Sequence, residues 1–246
     1  MPKVLTIDIE TSPHLGHVWS LWQQNVSLSQ LKETGQVISF AAKWYGKKAV
    51  EFRSDHHDGH EAMVLRAHEL FNEADVIVHY NGVAFDIKHL KREFILAGLT
   101  PPSPHKDIDL MRVVKSQFKF ASNKLDFVAQ QLGLGAKTHH TGFQLWLDCM
   151  AGDDKAWSLM RKYNKQDVVL TEALYDHLRP WITSHPHVGL WTGEERSCGK
   201  CGGTNLVQDG RSMTAVTTYA RYRCEDCGGW SRANYRKGHT EFRGIR

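Results

Sequence analysis

Asp8 and Glu10 lie two residues apart in Val4-Leu5-Thr6-Ile7-Asp8-Ile9-Glu10, a β-rich run that alternates apolar and polar residues. On a strand, residues two apart leave the same face, so both carboxylates point one way, roughly 6.5–7 Å apart along the chain, while Leu5, Ile7 and Ile9 point the other. Two carboxylates on a face that a helix must cover repel each other and lose hydration unless cations or donors neutralise them. A metal site resolves that cost. Further along, Ala156, Met160, Tyr163, Asp167, Leu170, Leu174 and Leu178 follow the spacing of one helical face. Asp167 interrupts this apolar stripe, and Tyr163 lies one turn before it. Asp86 is a further acidic candidate, just after the strand expected at 75–80 and near a helix start.

A second cluster is built from sulfur. Cys198-Gly-Lys-Cys201 and Cys224-Glu-Asp-Cys227 form two Cys-x-x-Cys pairs with 22 residues between them. Four thiolates match the tetrahedral preference of one structural Zn²⁺, and Gly199, Gly202 and Gly228 permit the tight turns around them. Tyr219, Arg221, Tyr222 and Arg223 suggest a strand leading into the second pair. Disulfides are the alternative, but nothing marks the chain as secreted and such spacing inside cells more often binds metal. The remaining cysteine, Cys149, reads as a small buried apolar residue.

Asp8-Ile9-Glu10-Thr11, Asn81-Gly82-Val83-Ala84-Phe85-Asp86 and Tyr163-Asn164-Lys165-Gln166-Asp167 resemble, in this order, the three motifs of the DEDD superfamily of 3′→5′ exonucleases. The tyrosine matches that superfamily's tyrosine-bearing branch, since the residue before it is Lys162 and not the histidine of the sister branch. The resemblance spans about residues 3–180 and is nearest to the proofreading domains of family B DNA polymerases and to stand-alone phage exonucleases. The Cys quartet resembles a zinc ribbon. Hydrolysing a phosphodiester needs an activated water in line with a leaving 3′-oxygen, and two divalent ions about 3.5–4 Å apart serve both ends. Mg²⁺ or Mn²⁺ suits such a carboxylate site.

The resemblance implies that Asp8 bridges both ions, that Glu10 and Asp167 complete the first ion's protein ligands, and that Asp86 supports the second through water. By the same resemblance Tyr163 orients the attacking water without ionising, and Thr11 and Asn81 help hold the terminal nucleotide. Asp107 and Asp109 rival Asp86, which the Asn-Gly-x-x-Phe-Asp context favours. His139 and His140 read as loop residues. Lys115, Lys119, Lys124 and Lys137 read equally well as phosphate contacts or as a solvated face. The products would be nucleoside 5′-monophosphates from DNA or RNA, most readily from single-stranded 3′ ends. Replication or recombination proteins are candidate partners through the ribbon. A structure-specific endonuclease on the same fold and a non-catalytic binding scaffold are the alternatives.

The elements that must position these residues follow from periodicity. Strands are expected at 4–10, 37–45 and 49–53, forming an antiparallel meander with a turn at Gly46-Lys47-Lys48, and further strands at 75–80 and 106–110. Helices are expected at 59–73, 84–97 and 122–132, with a long closing helix from 153 to about 179. Residues 133–152 read as loop with a short apolar piece at 143–147. The fold class is therefore α/β, a ribonuclease-H-like mixed sheet flanked by helices, with a small C-terminal zinc ribbon. We divide the chain into an exonuclease domain at 1–180, a linker at 181–194 containing Pro186, Gly189 and Gly193, and a ribbon with a basic tail at 195–246.

Composition agrees with that division. Of the 246 residues 41% are hydrophobic, enough to bury a sizeable core. Residues 194–246 carry ten Lys/Arg and six acids, whereas 1–193 balance at 21 of each, so the net charge of +4 belongs to the tail. A basic tail beside a neutral domain fits a polyanionic partner. No run of about 18 apolar residues occurs, and the first residues lack the pattern of a secretory signal. The expectation is a protein of the cytoplasm, the host's cytoplasm if phage-encoded.

Overall fold

The computed structural model describes residues 2–23, 25–139 and 141–244. The chain divides into two compact units, Lys3–Leu174 and Tyr175–Arg246. In the first, β1 (Val4–Thr11) leads to a small exposed pair, β2 (Leu15–Gly16) and β3 (Leu31–Glu33), then to β4 (Val37–Trp44) and β5 (Glu51–Ser54). Helices α1 (Asp55–Asp58) and α2 (His60–Glu73) precede β6 (Val76–His79), and α3 (Asp86–Leu96) precedes β7 (Lys106–Asp109). Helices α4 (Leu110–Gln117), α5 (Leu125–Gln131), α6 (Phe143–Met150) and α7 (Asp154–Leu178) follow.

The main sheet has the order β5-β4-β1-β6-β7. β1, β4 and β5 pair antiparallel as the meander requires, and β6 and β7 add in parallel on the other side of β1. β1 is thus central, and its first four residues, Val4 to Ile7, are buried whichever face they point to. Its odd residues, Leu5, Ile7 and Ile9, join Met63, Val64, Leu70 and Phe71 of α2 and Leu90 and Phe94 of α3 in one core. A second core gathers Ala156, Trp157, Met160 and Tyr163 of α7 with Leu145 and Cys149 of α6 and Ile38 of β4. Every residue of the stripe expected on α7, from Ala156 to Leu178, is buried.

Among the helices of this unit, the single turn α1 and the longer α4 and α6 were not expected. α4 starts directly after β7, where Asp109 caps it by accepting the amides of Met111 and Arg112 at 3.1 and 3.3 Å. α6 occupies part of the stretch read as loop: Gly142 and Gly152 bracket it, and Leu145 and Cys149, one turn apart, bury its inner side. Burial of Cys149 agrees with its reading as a small apolar residue, and its carbonyl accepts from Trp157 Nε1 at 2.8 Å. His140 lies outside the described residues.

In the second unit, a 3-10 turn (Arg179–Trp181) and the short helix α8 (Gly189–Thr192) precede β8 (Leu206–Met213), β9 (Thr217–Cys224) and β10 (Trp230–His239), an antiparallel sheet of order β10-β9-β8. The stretch read as a linker, 181–194, lies inside this unit. Ile182 and Val188 are buried, and Val188 N–H donates to Gly199 O at 3.1 Å, tying it to the first cysteine turn. No helix among the described residues is long and apolar enough to cross a membrane.

Candidate active site and metal centres

β1 and α7 bring three of the expected carboxylates together. Asp8, Glu10 and Asp167 each offer an oxygen, and these oxygens all lie within 4.8 Å of one another. Register explains the access on the strand side, because Asp8 pairs with Ala41 and Glu10 with Ser39, two small neighbours that leave room above the sheet. Asn164, on α7 between Tyr163 and Asp167, fixes the helix to the strand. Its Nδ2 donates to Asp8 Oδ2 at 2.7 Å and to Asp8 O at 3.1 Å, and its Oδ1 accepts from Ser39 Oγ at 3.3 Å. Asn164 is fully buried, and the spacing of the motif gave no hint of this role.

The carboxylates are held far from their ordinary ionisation. Burial, then Asp86, Asp167 and Glu10, push Asp8 well above the usual carboxylate range, against an opposing pull from Lys137. Burial and then Asp167 push Glu10 up to about 8. Asp86 is not among the three clustered oxygens. It starts α3, one oxygen accepts Ile9 N–H of β1 at 3.1 Å, and burial raises it to about 6 although His79 opposes the rise. Asp86 thus stands beside Asp8, with one oxygen committed to the strand.

Lys137 is the cation in the cluster. Its ammonium pairs with Asp167 and donates to Tyr163 Oη at 3.1 Å. Burial lowers its basicity, but Asp167 and Tyr163 outweigh that, so it stays charged. Of the four lysines considered as phosphate contacts, Lys115, Lys119 and Lys124 are exposed, and Lys137 alone reaches the carboxylates. It comes from a glycine-containing loop whose sequence has no period to aim it. Tyr163 is buried, and burial followed by Asp167 raises its hydroxyl far above the usual phenol range, so it is neutral near pH 7. Trp146 of α6 packs edge-on against Tyr163, with ring centroids 6.1 Å apart, and its hydrogen bond to Glu10 favours that carboxylate's ionised form.

The loop carrying the second motif is anchored by the rival carboxylate. Asp109 accepts Asn81 N–H at 3.0 Å and Val83 N–H at 3.4 Å besides capping α4, so it is occupied by backbone amides. Asn81 has φ of 69°, and a Cβ at Gly82 would collide with the buried His79 ring, so Asn-Gly is required for this turn. Thr11 ends β1 beyond a register shift after Glu10, and it pairs with Val37. Asn81 and Thr11 are both half-buried, and His139 is exposed.

The four cysteines also converge, with all sulfurs within 4.8 Å of one another. Cys198 and Cys227 Sγ are 3.7 Å apart, as are Cys201 and Cys224 Sγ. A tetrahedron with Zn–S bonds of about 2.3 Å has edges of about 3.8 Å, so the spacing fits that ion. The two turns are copies: each reads Cys-x-x-Cys-Gly-Gly. In each, the first Cys N–H donates to the second Gly O (2.7 and 2.9 Å) and the first Gly N–H to the first Cys O (2.8 Å in both). The second Gly N–H points at the second cysteine's sulfur, at 3.3 and 3.4 Å. Gly202 and Gly228 hold φ of 78° and 75°, the left-handed conformation that closes each turn. Gly202 and Gly228 stood out in the sequence, but Gly203 and Gly229, which complete the repeat, did not, although aligning the two cysteine pairs would have found them.

With the geometry described, comparison with known proteins is informative. A family model described as RNase_H superfamily matches residues 27–179, more than half of the chain. The chain belongs to the RNase_H superfamily. The matched span includes Asp86, Tyr163 and Asp167, whereas Asp8 and Glu10 precede it. No curated protein matches the sequence. Among solved structures, the family B DNA polymerase from the hyperthermophilic archaeon Pyrobaculum calidifontis is similar, with a TM-score of 0.58 at 17% identity. That similarity covers 91% of this chain and 33% of the polymerase, so the chain spans about a third of that protein's length, and the likeness is one of fold. Membership of the RNase_H superfamily, whose nucleases use divalent metals, supports a nuclease-type activity on nucleic acid, and the acidic cluster suits such ions.

Proposed function

We propose that this protein is a metal-dependent 3′→5′ exonuclease of the tyrosine-bearing DEDD branch, releasing nucleoside 5′-monophosphates. The observation that carries the reading is the meeting of Asp8, Glu10 and Asp167 within 4.8 Å, with the neutral Tyr163 hydroxyl one helical turn away. Two Mg²⁺ or Mn²⁺ ions held there would supply an activated water and charge stabilisation of the leaving oxygen. Asp8 feels Asp86 as well as Asp167 and Glu10, which suits a ligand shared by both ions. Glu10 and Asp167 complete one set of oxygens. Asp86, with one oxygen held by Ile9 N–H, is suited to act through water.

Tyr163 Oη accepts a hydrogen bond from Lys137, and its neutral hydroxyl is assigned to orienting a water or a phosphate oxygen. Thr11 and Asn81, at the end of β1 and in the loop before α3, are assigned to the terminal nucleotide. The catalytic domain is assigned to 1–180 and a structural Zn²⁺ ribbon with its basic tail to 195–246, the segment 181–194 between them being packed through Ile182 and Val188. The Cys quartet lacks a position for a reacting water once all four sulfurs bind, so its metal has no part in hydrolysis.

Single- and double-stranded DNA and RNA, labelled at either end and incubated with Mg²⁺, test the reading beside an Asp8→Asn control. A ladder shortening from the 3′ end, absent in the variant, is expected. Internal cuts would replace the exonuclease with an endonuclease, and no metal-dependent cleavage would overturn the assignment.

A further inference from the structure

The cysteine-bearing unit presents an arrangement that zinc binding does not use. Directly opposed residues of antiparallel strands share a face, and here Arg221 opposes Arg232 while Arg223 opposes Trp230. Tyr219, Arg221 and Arg223 of β9 therefore share a face with Trp230 and Arg232 of β10. The intervening Ala220 and Cys224 are buried on the other side. On the shared face the arginines stack diagonally: Arg221 lies over the Trp230 ring at 4.6 Å, and Arg232 over the Tyr219 ring at 4.4 Å. The result is a lattice of two planar cations side by side, each backed by an aromatic ring of the neighbouring strand.

Two like charges directly opposed across strands are unfavourable unless something offsets them. Cation–π contact offsets only part of that repulsion at exposed sites, and the carboxylates nearby are sparse. Asp209 lies 3.6 Å from Arg221 and Glu225 2.8 Å from Arg223, both acids about half exposed. No ion pair to Arg232 or Arg236 occurs among the described residues. Trp230 is 46% exposed, a large apolar surface left in water. A partner that satisfies all of this carries spaced negative charge together with flat apolar faces.

We propose that the Tyr219–Arg221–Trp230–Arg232 face binds single-stranded nucleic acid, the guanidinium groups pairing with phosphates while bases stack on the guanidinium planes and the exposed indole. Unstacked bases are needed for that contact, which is why a single strand fits and a duplex does not. The inference gives the proposed nuclease a second foothold on its substrate, and it rests on that reading for its purpose but not for its test.

The test uses the full, zinc-loaded chain without added Mg²⁺ and follows binding of a labelled oligothymidylate across salt concentrations. Arg221→Gln/Arg232→Gln should weaken binding and reduce the slope of log K against log salt by about 1.4, two phosphate contacts at about 0.7 each. Trp230→Ala should lower affinity at least about five-fold with little change in slope, and Trp230→Phe should recover most of it. One bound zinc in each variant certifies the fold. Unchanged affinity and slope in the zinc-loaded double variant would overturn the proposal. So would equal binding of polyglutamate, which would make the face a dock for acidic proteins. Binding with these dependences in a chain that cleaves nothing would leave this inference standing and sink the nuclease reading.

Discussion

The two acidic and sulfur clusters pose the same electrostatic problem and solve it in opposite ways. Asp8, Glu10 and Asp167 are brought together by a central strand and a 25-residue helix that two apolar cores already hold in place. Cys198, Cys201, Cys224 and Cys227 are brought together by two six-residue turns, and between 195 and 244 the buried residues among those described are only Ser197, Cys198, Gly199, Ala220, Cys224 and Gly229. The first fold can tolerate its cluster without metal because Lys137 and Asn164 partly compensate the carboxylates. The second has too little apolar burial to stand alone, so a metal held by its cysteines would be part of its folding energy. A catalytic ion is accommodated by a fold, whereas a structural ion makes one.

Removing the metal proposed for the four cysteines should have the largest effect. Cys198→Ser, or zinc chelation, should abolish amide exchange protection across β8–β10, since structural zinc contributes on the order of 10 kcal/mol. Protection in β1, β4 and α7 should persist. Retained protection in β8–β10 would erase the contrast between the clusters. Next comes Asp8→Asn, which should cut Mg²⁺-dependent hydrolysis by about a thousand-fold or more, a loss larger than that of a single hydrogen-bond donor. The same variant should melt at an equal or higher temperature without metal, because it relieves a buried repulsion; a lower Tm would mean that Asp8 organises the core.

Lys137→Met sharpens the comparison from inside the acidic site. It leaves Asp167 buried without its ammonium partner, which should destabilise the metal-free protein by about 3 kcal/mol or somewhat less, the lysine being part-exposed. Added Mg²⁺ should recover more stability in this variant than in the wild type, as thermal melts with and without the ion would reveal. Equal metal-induced shifts would show that Lys137 does not compensate the cluster. Tyr163→Phe should be milder, lowering kcat about 10- to 100-fold with Mg²⁺ affinity unchanged, because it removes an orienting hydroxyl and no ligand. The smallest effect is expected from Gly228→Ala. A Cβ there meets nothing within 4 Å, so the cost is that of the left-handed backbone alone, about 1–2 kcal/mol, read as weakened zinc retention.

Much of the acidic site was legible because its residues contradict their local pattern. Asp167 on an apolar stripe and two carboxylates on one strand face stand out against periodicity, and the cysteine pairs stand out by spacing. Asp86 was legible by motif and only partly by geometry, since its commitment to Ile9 N–H depends on how α3 meets β1. α6 escaped notice because eight residues give barely two turns of periodicity, although Leu145 and Cys149 carried the i, i+4 signal. The expected linker was read from its prolines and glycines, which mark turns but do not say whether the turns are packed.

The sequence by itself determined the α/β order, the antiparallel meander, the buried stripe of α7 and the identity of the clustered carboxylates and cysteines. These rest on periods of two and 3.6 residues and on short spacings, which a chain expresses locally. Only the tertiary structure decided that Lys137 and Trp146 join the carboxylates, that Asn164 ties helix to strand, and that Arg221 and Arg232 face each other across strands. Those contacts join residues such as Lys137 and Asp167, or Asn164 and Asp8, through closure of the sheet against its helices, and no local period encodes such a meeting.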